Sequence, residues 1–218
     1  MEVTPREVKG MKPITWSKEI RELHKKLRMN SFQEAVLIGT LLGDGSLVVN
    51  AYGKNYRLRI EHQKAQKEYV EWKYHVFKEW CLSKPKFRIK TNSWYFRTIS
   101  HPVFTRYRNL FYQEGRKIVP KRIDLLLRDP ISLAVWFMDD GGVQVDKRNP
   151  SISTHSFTRR ENLLLRKVLW QNFGIETNLN WDGKGNRLYI PKRSLERFVR
   201  LISPYILPSM KYKLPLTP

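Results

Sequence analysis

Two aspartates stand at the end of an apolar segment, where a carboxylate is unfavourable. In WFMDDGG, residues 136–142, three bulky apolar residues run directly into Asp139, Asp140 and two glycines. The carboxyl end of a helix carries negative partial charge, so an aspartate there lowers helix stability. LIGTLLGDG, residues 37–45, has the same design and places Asp44 between two glycines. We therefore interpret Asp44 and Asp140 as functional residues.

The residue spacing around these two aspartates repeats along the chain. Asp44 and Asp140 lie 96 residues apart. Lys117, in RKIVP, follows Asp44 by 73 residues, and Lys213, in YKLP, follows Asp140 by the same 73 residues. Two pairs of residues, each six apart and each at the start of an amphipathic segment, also repeat: His62 with Glu68, and His155 with Glu161. These matches indicate an internal duplication, whose period is longer than the roughly 20 to 50 residues of solenoid repeats.

Two such helix ends, packed level and side by side, would bring both carboxylates together. Like charges at that distance normally force one acid to keep its proton. Divalent cations remove the conflict, and oxygen ligands suit Mg²⁺, with water and phosphate completing the coordination. A pair of acids in a basic protein is typical of two-metal phosphodiester cleavage. The alternative is that both segments are ordinary core helices with solvent-facing aspartates at their ends.

The two apolar segments predict the helices that would position the acids. Ser31, with Glu34 three residues later, predicts a capping box at the start of the first helix. Pro130 predicts the start of the second helix. Gly39 and Gly43 lie four residues apart, on one helix face, and would allow close approach to a neighbouring helix.

The glycine that follows each aspartate predicts where each helix ends. Gly141 follows Asp140, and Gly45 follows Asp44. Because glycine takes the left-handed conformation readily, we expect each to form a C-cap.

Segments of alternating polarity predict strands between the helices. They are NYRLRIEHQ and KFRIKTNSWYFRTI in the first half, and SISTHSF, ETNLNWD and RLYIP in the second. Each half is therefore expected to form a helix, a hairpin, a helix, a hairpin and a helix. The predicted fold class is α+β, with two pseudo-symmetric αββαββα halves and antiparallel sheets.

The predicted halves occupy residues 31–126 and 127–218. Residues 1–30 form a basic N-terminal extension, in which WSKEIRELHKKLRM predicts a helix. This helix is either a solvated surface helix or an additional DNA contact.

The composition limits the class of partner. The 218 residues include 41 Lys and Arg against 20 Asp and Glu, a net charge of +21, while 41% hydrophobic residues suffice for a core. A folded protein with this charge suggests a polyanionic partner, nucleic acid first. The single cysteine excludes an intrachain disulfide, and no apolar run approaches a membrane span, so we expect an intracellular protein without a membrane partner.

At this point the residues resemble a known family. LIGTLLGDG and LAVWFMDDG resemble the two copies of the motif of LAGLIDADG homing endonucleases, and SLAVWFMDDGG, SFT and YILPSMKYKLP resemble its single-chain, two-motif subgroup. The resemblance extends over nearly everything from residue 31 onward. It implies that the two motif helices pack at the interface of the halves. It also implies that the two sheets form a DNA-binding saddle.

The resemblance also implies roles for the repeated residues. Asp44 and Asp140 are the expected metal ligands, and the backbone carbonyls of Gly43 and Asp139 can add oxygen ligands. A lysine in each half, Lys117 and Lys213, is expected to stabilise charge or organise water. The cofactor is expected to be Mg²⁺, two or more ions, with Mn²⁺ able to substitute. One departure is Val135, where the motif usually has glycine, as at Gly39; it predicts a splayed or asymmetric helix interface.

Basic residues on the predicted strands are the candidate DNA contacts. Arg and Lys on alternate strand positions point one way and can contact phosphates and guanine edges. The candidates are Arg57, Arg59, Lys86, Arg88, Lys90 and Arg97 in the first half, and Lys147, Arg148, Lys184, Arg187, Lys192 and Arg193 in the second. Glu61 and Gln63, near a strand end, are expected to help order active-site water.

The leading hypothesis is a site-specific double-strand DNA endonuclease that leaves short 3′ overhangs. Because the halves differ in sequence, we expect a monomer with pseudo-two-fold symmetry and a long asymmetric DNA target. One alternative on the same fold is an intron RNA maturase, with intron RNA as partner, or a regulator that binds without cleaving. Another is a structural RNA-binding protein, which the charge permits but the duplicated acids do not explain.

Overall fold

Helices and strands alternate in the same order in both halves of the chain. The structure, a computed structural model, describes residues 18–49, 53–143 and 149–215. The elements of the first half are α1 (Lys18–Lys26), α2 (Ser31–Leu42), β1 (Ser46–Val49), β2 (Tyr56–Gln63), α3 (Lys67–Val76), β3 (Lys86–Arg88), β4 (Ser93–Arg97) and α4 (Pro102–Phe111). From α2 to α4 the order is αββαββα, as the sequence predicts.

The second half repeats this order after a short connection. The connection contains β5 (Tyr112–Gln113), β6 (Arg116–Lys117) and α5 (Ile123–Leu126). The repeated elements are α6 (Pro130–Asp140), β7 (Gly141–Val143), β8 (Pro150–Ser153), α7 (Arg159–Phe173), β9 (Asn178–Trp181), β10 (Asn186–Tyr189) and α8 (Lys192–Ile202). Two 3₁₀ turns, Ser203–Tyr205 and Pro208–Lys213, follow α8.

The two four-stranded sheets have identical topology, and β5 and β6 form a separate two-stranded sheet. The four-stranded sheets have the strand orders β1-β2-β4-β3 and β7-β8-β10-β9, and all their pairings are antiparallel. The predicted α+β fold with two antiparallel sheets is confirmed. Among the described residues, no helix combines the length and the apolar character that a membrane span requires.

The compact units of the chain do not follow the repeat of elements. One unit comprises residues up to Gln33 with Gly45–Arg108, and the other comprises Glu34–Asp44 with Asn109–Pro218. The first motif helix is therefore packed in the unit that contains the second motif helix. The predicted half boundaries, 31–126 and 127–218, stay a prediction.

Each sheet has one buried and one open face. In the first unit, Leu58 and Ile60 of β2 and Phe96 of β4 are buried, and Tyr69 of α3 is buried with them. In the second unit, Leu188 of β10 is fully buried. Because side chains alternate along a strand, the residues next to these point away from the core.

The two motif helices, α2 and α6, approach each other so closely that Gly39 has no room for a side chain. A Cβ added there would lie 2.3 Å from the carbonyl oxygen of Ser132 and 2.8 Å from the Cβ of Val135. The Ser132 hydroxyl donates a 2.8 Å hydrogen bond to the carbonyl oxygen of Ala35. Val135, fully buried, therefore packs onto the glycine of the opposite helix, which gives this pair of helices an asymmetric contact.

Two predictions about helix ends are wrong in detail. The cap of α2 is Asn30: its side chain accepts from the backbone N–H of Gln33 at 2.8 Å, and the Gln33 side chain accepts from the Asn30 N–H at 3.3 Å. The capping box thus lies one residue before the predicted pair of Ser31 and Glu34, because asparagine is at least as good an N-cap as serine.

Gly45 is not a left-handed cap, because α2 ends at Leu42 and Gly45 is not among the glycines with positive φ. Gly141 is not one either. Its φ of −85° and ψ of 162° are extended, and it pairs with Ile152 as the first residue of β7. Glycine is needed there because a Cβ would lie 2.0 Å from the Phe137 ring. Helix α6 therefore passes directly into a strand.

We expect Gly39→Ala to lower the free energy of unfolding by about 1–3 kcal/mol, because the added methyl group meets backbone that cannot move aside. Thermal unfolding measures this loss. Gly142→Ala is the matched control, since a Cβ at Gly142 has nothing within 4 Å and should change stability by less than about 0.5 kcal/mol. Equal effects of the two substitutions would contradict the close helix packing.

Candidate active site

The carboxyl ends of α2 and α6 bring three aspartates together within the second unit. The backbone N–H of Asp44 donates a 3.1 Å hydrogen bond to Oδ2 of Asp139. Carboxylate oxygens of these two residues lie within 4.8 Å of each other. Asp139 is 8% exposed, whereas Asp44 is exposed and Asp140 is half-buried. Oxygen ligands from both motif helices therefore converge at one place.

The Asp139 side chain has a role that the sequence does not predict. The sequence predicts only that the backbone carbonyl of Asp139 binds metal. The carboxylate of Asp139 lies directly over Gly43: a Cβ there would be 2.4 Å from the Asp139 Cβ and 2.5 Å from Oδ2. Only glycine at position 43 leaves room for the aspartate side chain at position 139. The signal in the sequence was the motif alignment, which sets Gly43 opposite Asp139.

Both predicted lysines reach the helix ends at equivalent positions. Nζ of Lys117 donates to the Gly43 carbonyl oxygen at 2.5 Å. Nζ of Lys213 donates to the carbonyl oxygens of Asp139 at 2.9 Å and Met138 at 2.5 Å. Gly43 and Asp139 are separated by the same 96 residues as the lysines, so the repeat in sequence is a repeat in space. The two carbonyls expected to bind metal are the same ones that hold the lysines.

A neighbouring helix start fixes the segment that carries Lys117. The Glu161 side chain closes a capping box at the start of α7, with Thr158 as N-cap. Its other oxygen accepts a 2.8 Å hydrogen bond from the Val119 N–H. The repeated Glu161 thus holds the chain two residues beyond Lys117.

The electrostatics of the cluster are dominated by Asp140. Burial, together with the charges of Asp44 and Asp139, raises its pKa to about 8, although Lys117 and Lys213 oppose the shift. Three acids and two lysines leave one excess negative charge when all are ionised. An all-oxygen donor set with this charge fits a hard divalent cation such as Mg²⁺.

In the first unit, most of the predicted DNA contacts lie on the open face of the first sheet. Leu58 and Ile60 are buried, so Arg57, Arg59 and Glu61 of β2 point the other way. Arg59 is paired with Arg97 of β4, and Lys86 of β3 is paired with Tyr95. A depression on this face is lined by Val48, Val49, Arg57, Arg59, Arg88, Tyr95 and Arg97. Lys90 lies instead in a 3₁₀ turn, Ile89–Thr91.

Glu61 is held inside this arginine cluster. It pairs with Arg59 and, at 3.1 Å, with Arg88, and it accepts a 2.6 Å hydrogen bond from the Ser93 hydroxyl. Burial alone would raise its pKa, but the hydrogen bonds from Ser93, Arg59 and Thr91 lower the pKa to about 2. The carboxylate therefore orients arginines on the sheet. Gln63 is exposed at the end of β2, and the role of both residues in ordering water stays a prediction.

The open face of the second sheet is mostly uncharged. Register places Ser151, Ser153, Asn178, Asn180, Arg187 and Tyr189 on it. Arg187 contacts Asp182 at 3.0 Å and the Ser151 hydroxyl at 3.3 Å. Among the described residues this face carries one arginine, whereas the open face of the first sheet carries four arginines and a lysine: Arg57, Arg59, Arg88, Arg97 and Lys86.

Three other predicted contacts of the second half do not lie on its strands. Lys184 is exposed in the turn between β9 and β10, and Lys192 and Arg193 are exposed in the first turn of α8. The prediction that these two lie on a strand is wrong, because Pro191 ends the extended segment and serves as the N-cap of α8. Lys147 and Arg148 lie outside the described residues.

Comparisons with known proteins agree with this geometry. A sequence profile described as the LAGLIDADG DNA endonuclease family matches residues 34–198. "Probable intron-encoded endonuclease 1" of Wickerhamomyces canadensis is 32% identical over 215 residues, covering 91% of this chain and 90% of that protein. "Cytochrome b mRNA maturase bI2" of Debaryomyces hansenii is 30% identical over 191 residues, covering 82% and 72%.

A solved structure is similar over almost the whole chain. It is the homing endonuclease I-WcaI bound to its DNA recognition sequence, with a TM-score of 0.85 and 30% identity, and each chain is 96% covered. The likeness includes both halves of the repeat.

We expect Asp140→Asn to stabilise the protein in EDTA, increasingly as the pH rises from 5 to 8. The folded-state pKa of Asp140, about 8, lies above its ordinary value of 3.8, so the folded state holds a proton that the unfolded state has lost. Stability therefore falls as the pH rises through this window. Asparagine removes this penalty, and the gain at pH 8 should reach at least about 1 kcal/mol, or roughly 2–4 °C in Tm.

Thermal unfolding across this pH range is the measurement. Asp124→Asn is the control: the Arg122 side chain lowers the pKa of Asp124 below its ordinary 3.8, so its titration is complete before pH 5. A difference between Asp140→Asn and wild type that does not change with pH would refute the electrostatic strain at Asp140.

Proposed function

The chain belongs to the LAGLIDADG DNA endonuclease family, and we propose that it is a site-specific homing endonuclease cleaving both strands of a long asymmetric DNA target. The observation that carries this proposal is the site itself. Two closely packed helices end in acids from both motifs, and each end is held by a lysine at the same sequence distance. A protein that only binds nucleic acid has no need of this arrangement.

Asp44 and Asp140 would hold divalent metal, with the Gly43 and Asp139 carbonyls and the Asp139 carboxylate as further oxygen donors. Mg²⁺ is the proposed ion, two or more per site, with Mn²⁺ substituting. When bound, the metal supplies Lewis-acid activation of water and of the phosphate.

The chain's own residues hold this site in place. Lys117 and Lys213 fix the helix-end carbonyls, and their ammonium charges offset the acids. On this geometry they also attract the scissile phosphates and stabilise developing charge. The Asp139 carboxylate accepts a hydrogen bond from the backbone N–H of Asp44 and so fixes the backbone that carries the Asp44 side chain.

The two open sheet faces are the proposed DNA-reading surfaces. Arginines of the first sheet suit phosphates and guanine edges, whereas the asparagines and serines of the second suit adenine and other base edges. This difference supports an asymmetric target read by one monomeric chain, and cleavage is expected to leave short 3′ overhangs.

A second candidate function, help in RNA splicing, is favoured by the maturase relative. Retention of all the acids and lysines supports cleavage as the main activity, and the two functions can coexist on one chain.

Cleavage of a randomised duplex library in Mg²⁺ and in EDTA tests the proposal. We expect cutting at one long sequence in Mg²⁺ only, and loss of cutting in Asp44→Asn and Asp140→Asn because a metal ligand is removed. Lys117→Met and Lys213→Met should slow cutting about 10- to 100-fold, while Lys121→Met, an exposed lysine, serves as control. Normal cutting by both asparagine variants would show that the metal site lies elsewhere.

Duplex binding in EDTA tests the first sheet. Arg97→Gln should weaken binding and reduce the slope of log affinity against log salt by about 0.9, the value for one lost phosphate contact. Arg122→Gln is the control, because Arg122 is exposed and paired with Asp124. If Arg97→Gln changes neither affinity nor slope, this face does not contact DNA.

A further inference from the structure

The outer side of α7 carries an exposed aromatic ring among basic residues. Leu163, Arg166, Lys167 and Trp170 are spaced so that they share one face of the helix. Trp170 is 56% exposed and Leu163 41% exposed. With Thr177 and Arg193 these residues line a depression in the second unit, here called the α7 patch.

The charge of the patch is positive. Arg193 is paired with Glu176 at 2.7 Å, which also lines the depression and cancels one charge. Arg166 donates through Nε to the Thr177 carbonyl at 2.8 Å, which fixes its guanidinium beside the depression. Lys167 is exposed and has no ion pair within the described part of the chain. Three cations and one carboxylate leave a net charge of +2.

Thr177 lines the depression, but its side chain is almost entirely buried. It is 4% exposed, and its hydroxyl oxygen is itself buried, so this group does not meet a ligand in the depression. The patch thus combines a stacking surface with cations.

The α7 patch lies on the opposite side of the second sheet from the proposed DNA-reading face. Helix α7 packs against β9 and β10, with Leu165, Val168 and Leu169 buried beneath it. Arg187 alternates with the buried Leu188 along β10 and so points away from that core. A duplex on the open face of this sheet would therefore leave the α7 patch uncovered.

We propose that the α7 patch binds an unpaired nucleotide segment of an RNA, with a base stacked on Trp170 and phosphates held by Lys167 and Arg193. Aromatic stacking with adjacent cations is the common way proteins hold single strands. A DNA duplex keeps its bases stacked internally, whereas RNA loops and bulges present splayed bases to aromatic side chains. The face from Arg159 to Trp170 is about 16 Å long, enough for two or three nucleotides. This site is separate from DNA cleavage.

Fluorescence anisotropy of a labelled 12-nucleotide single-stranded RNA tests the site, with the full chain in EDTA and excess unlabelled duplex DNA to occupy the sheets. Trp170→Ala should weaken RNA binding about tenfold, and Trp170→Phe should retain most of it. Lys167→Gln should lower the salt slope by about 0.7, the value for one phosphate contact on a single strand.

Trp181→Ala is the matched control, because Trp181 is 70% exposed on β9 but does not line the patch. It should leave RNA affinity unchanged within about twofold. Duplex binding by Trp170→Ala at the wild-type level shows that the variant is folded. Because the RNA measurement needs no cleavage, failure of the endonuclease proposal would leave its result intact.

Four outcomes would overturn the inference. The first is that Trp170→Ala binds RNA as tightly as wild type, and the second is that duplex DNA displaces the RNA. The third is equal affinity for single-stranded DNA of the same sequence, and the fourth is a dimer in sedimentation that Trp170→Ala abolishes. The first two would place RNA elsewhere on the chain. The third would make the patch a general single-strand site, and the last would make it a contact between copies.

Discussion

Close approach of two helix ends is the constraint on which the site depends. Because Gly39 has no side chain, the backbone of α6 at Ser132 can pack against it, and Gly43 likewise leaves room for the side chain of Asp139. This packing sets acids from both motifs beside one another at the negative ends of their helices, where each is least favourable. Burial and the neighbouring acids then raise the pKa of Asp140 to about 8. The arrangement is strained without a cation and is suited to binding one.

The lysines show how a duplicated sequence becomes a pseudo-symmetric site. Lys117 and Lys213 hold carbonyls that are themselves related by the repeat, so both helix ends are fixed in the same way. The packing of α2 against α6 departs from two-fold symmetry at Val135 and Asp139, which lie one helical turn apart on α6. These two residues occupy the space left by Gly39 and Gly43 of α2. In both cases a larger residue of the second motif fills the position opposite a glycine of the first.

The sheets diverge more than the site does. One open face has arginines organised around Glu61, and the other has amides and hydroxyls around a single arginine. Catalytic geometry tolerates little change because the ligands of a metal must converge. The two open sheet faces, in contrast, can recognise different base sequences only if their side chains differ. The α7 patch, on the other side of the second sheet, adds a second basic surface, which carries an exposed tryptophan.

The sequence by itself determined the repeat and the αββαββα order, because residue spacing and helix periodicity can be read along the chain. It also singled out Asp44, Asp140, Lys117 and Lys213 by their matched spacing, and their catalytic roles stay predictions. It misplaced the α2 cap by one residue, assigned Gly141 a left-handed turn and put Lys192 and Arg193 on a strand, since several residues near each boundary could serve equally well. Tertiary structure alone decided that the Asp139 carboxylate accepts the Asp44 N–H. It also decided that α2 packs with the second half. These depend on contacts between residues up to about a hundred positions apart, which no local pattern specifies.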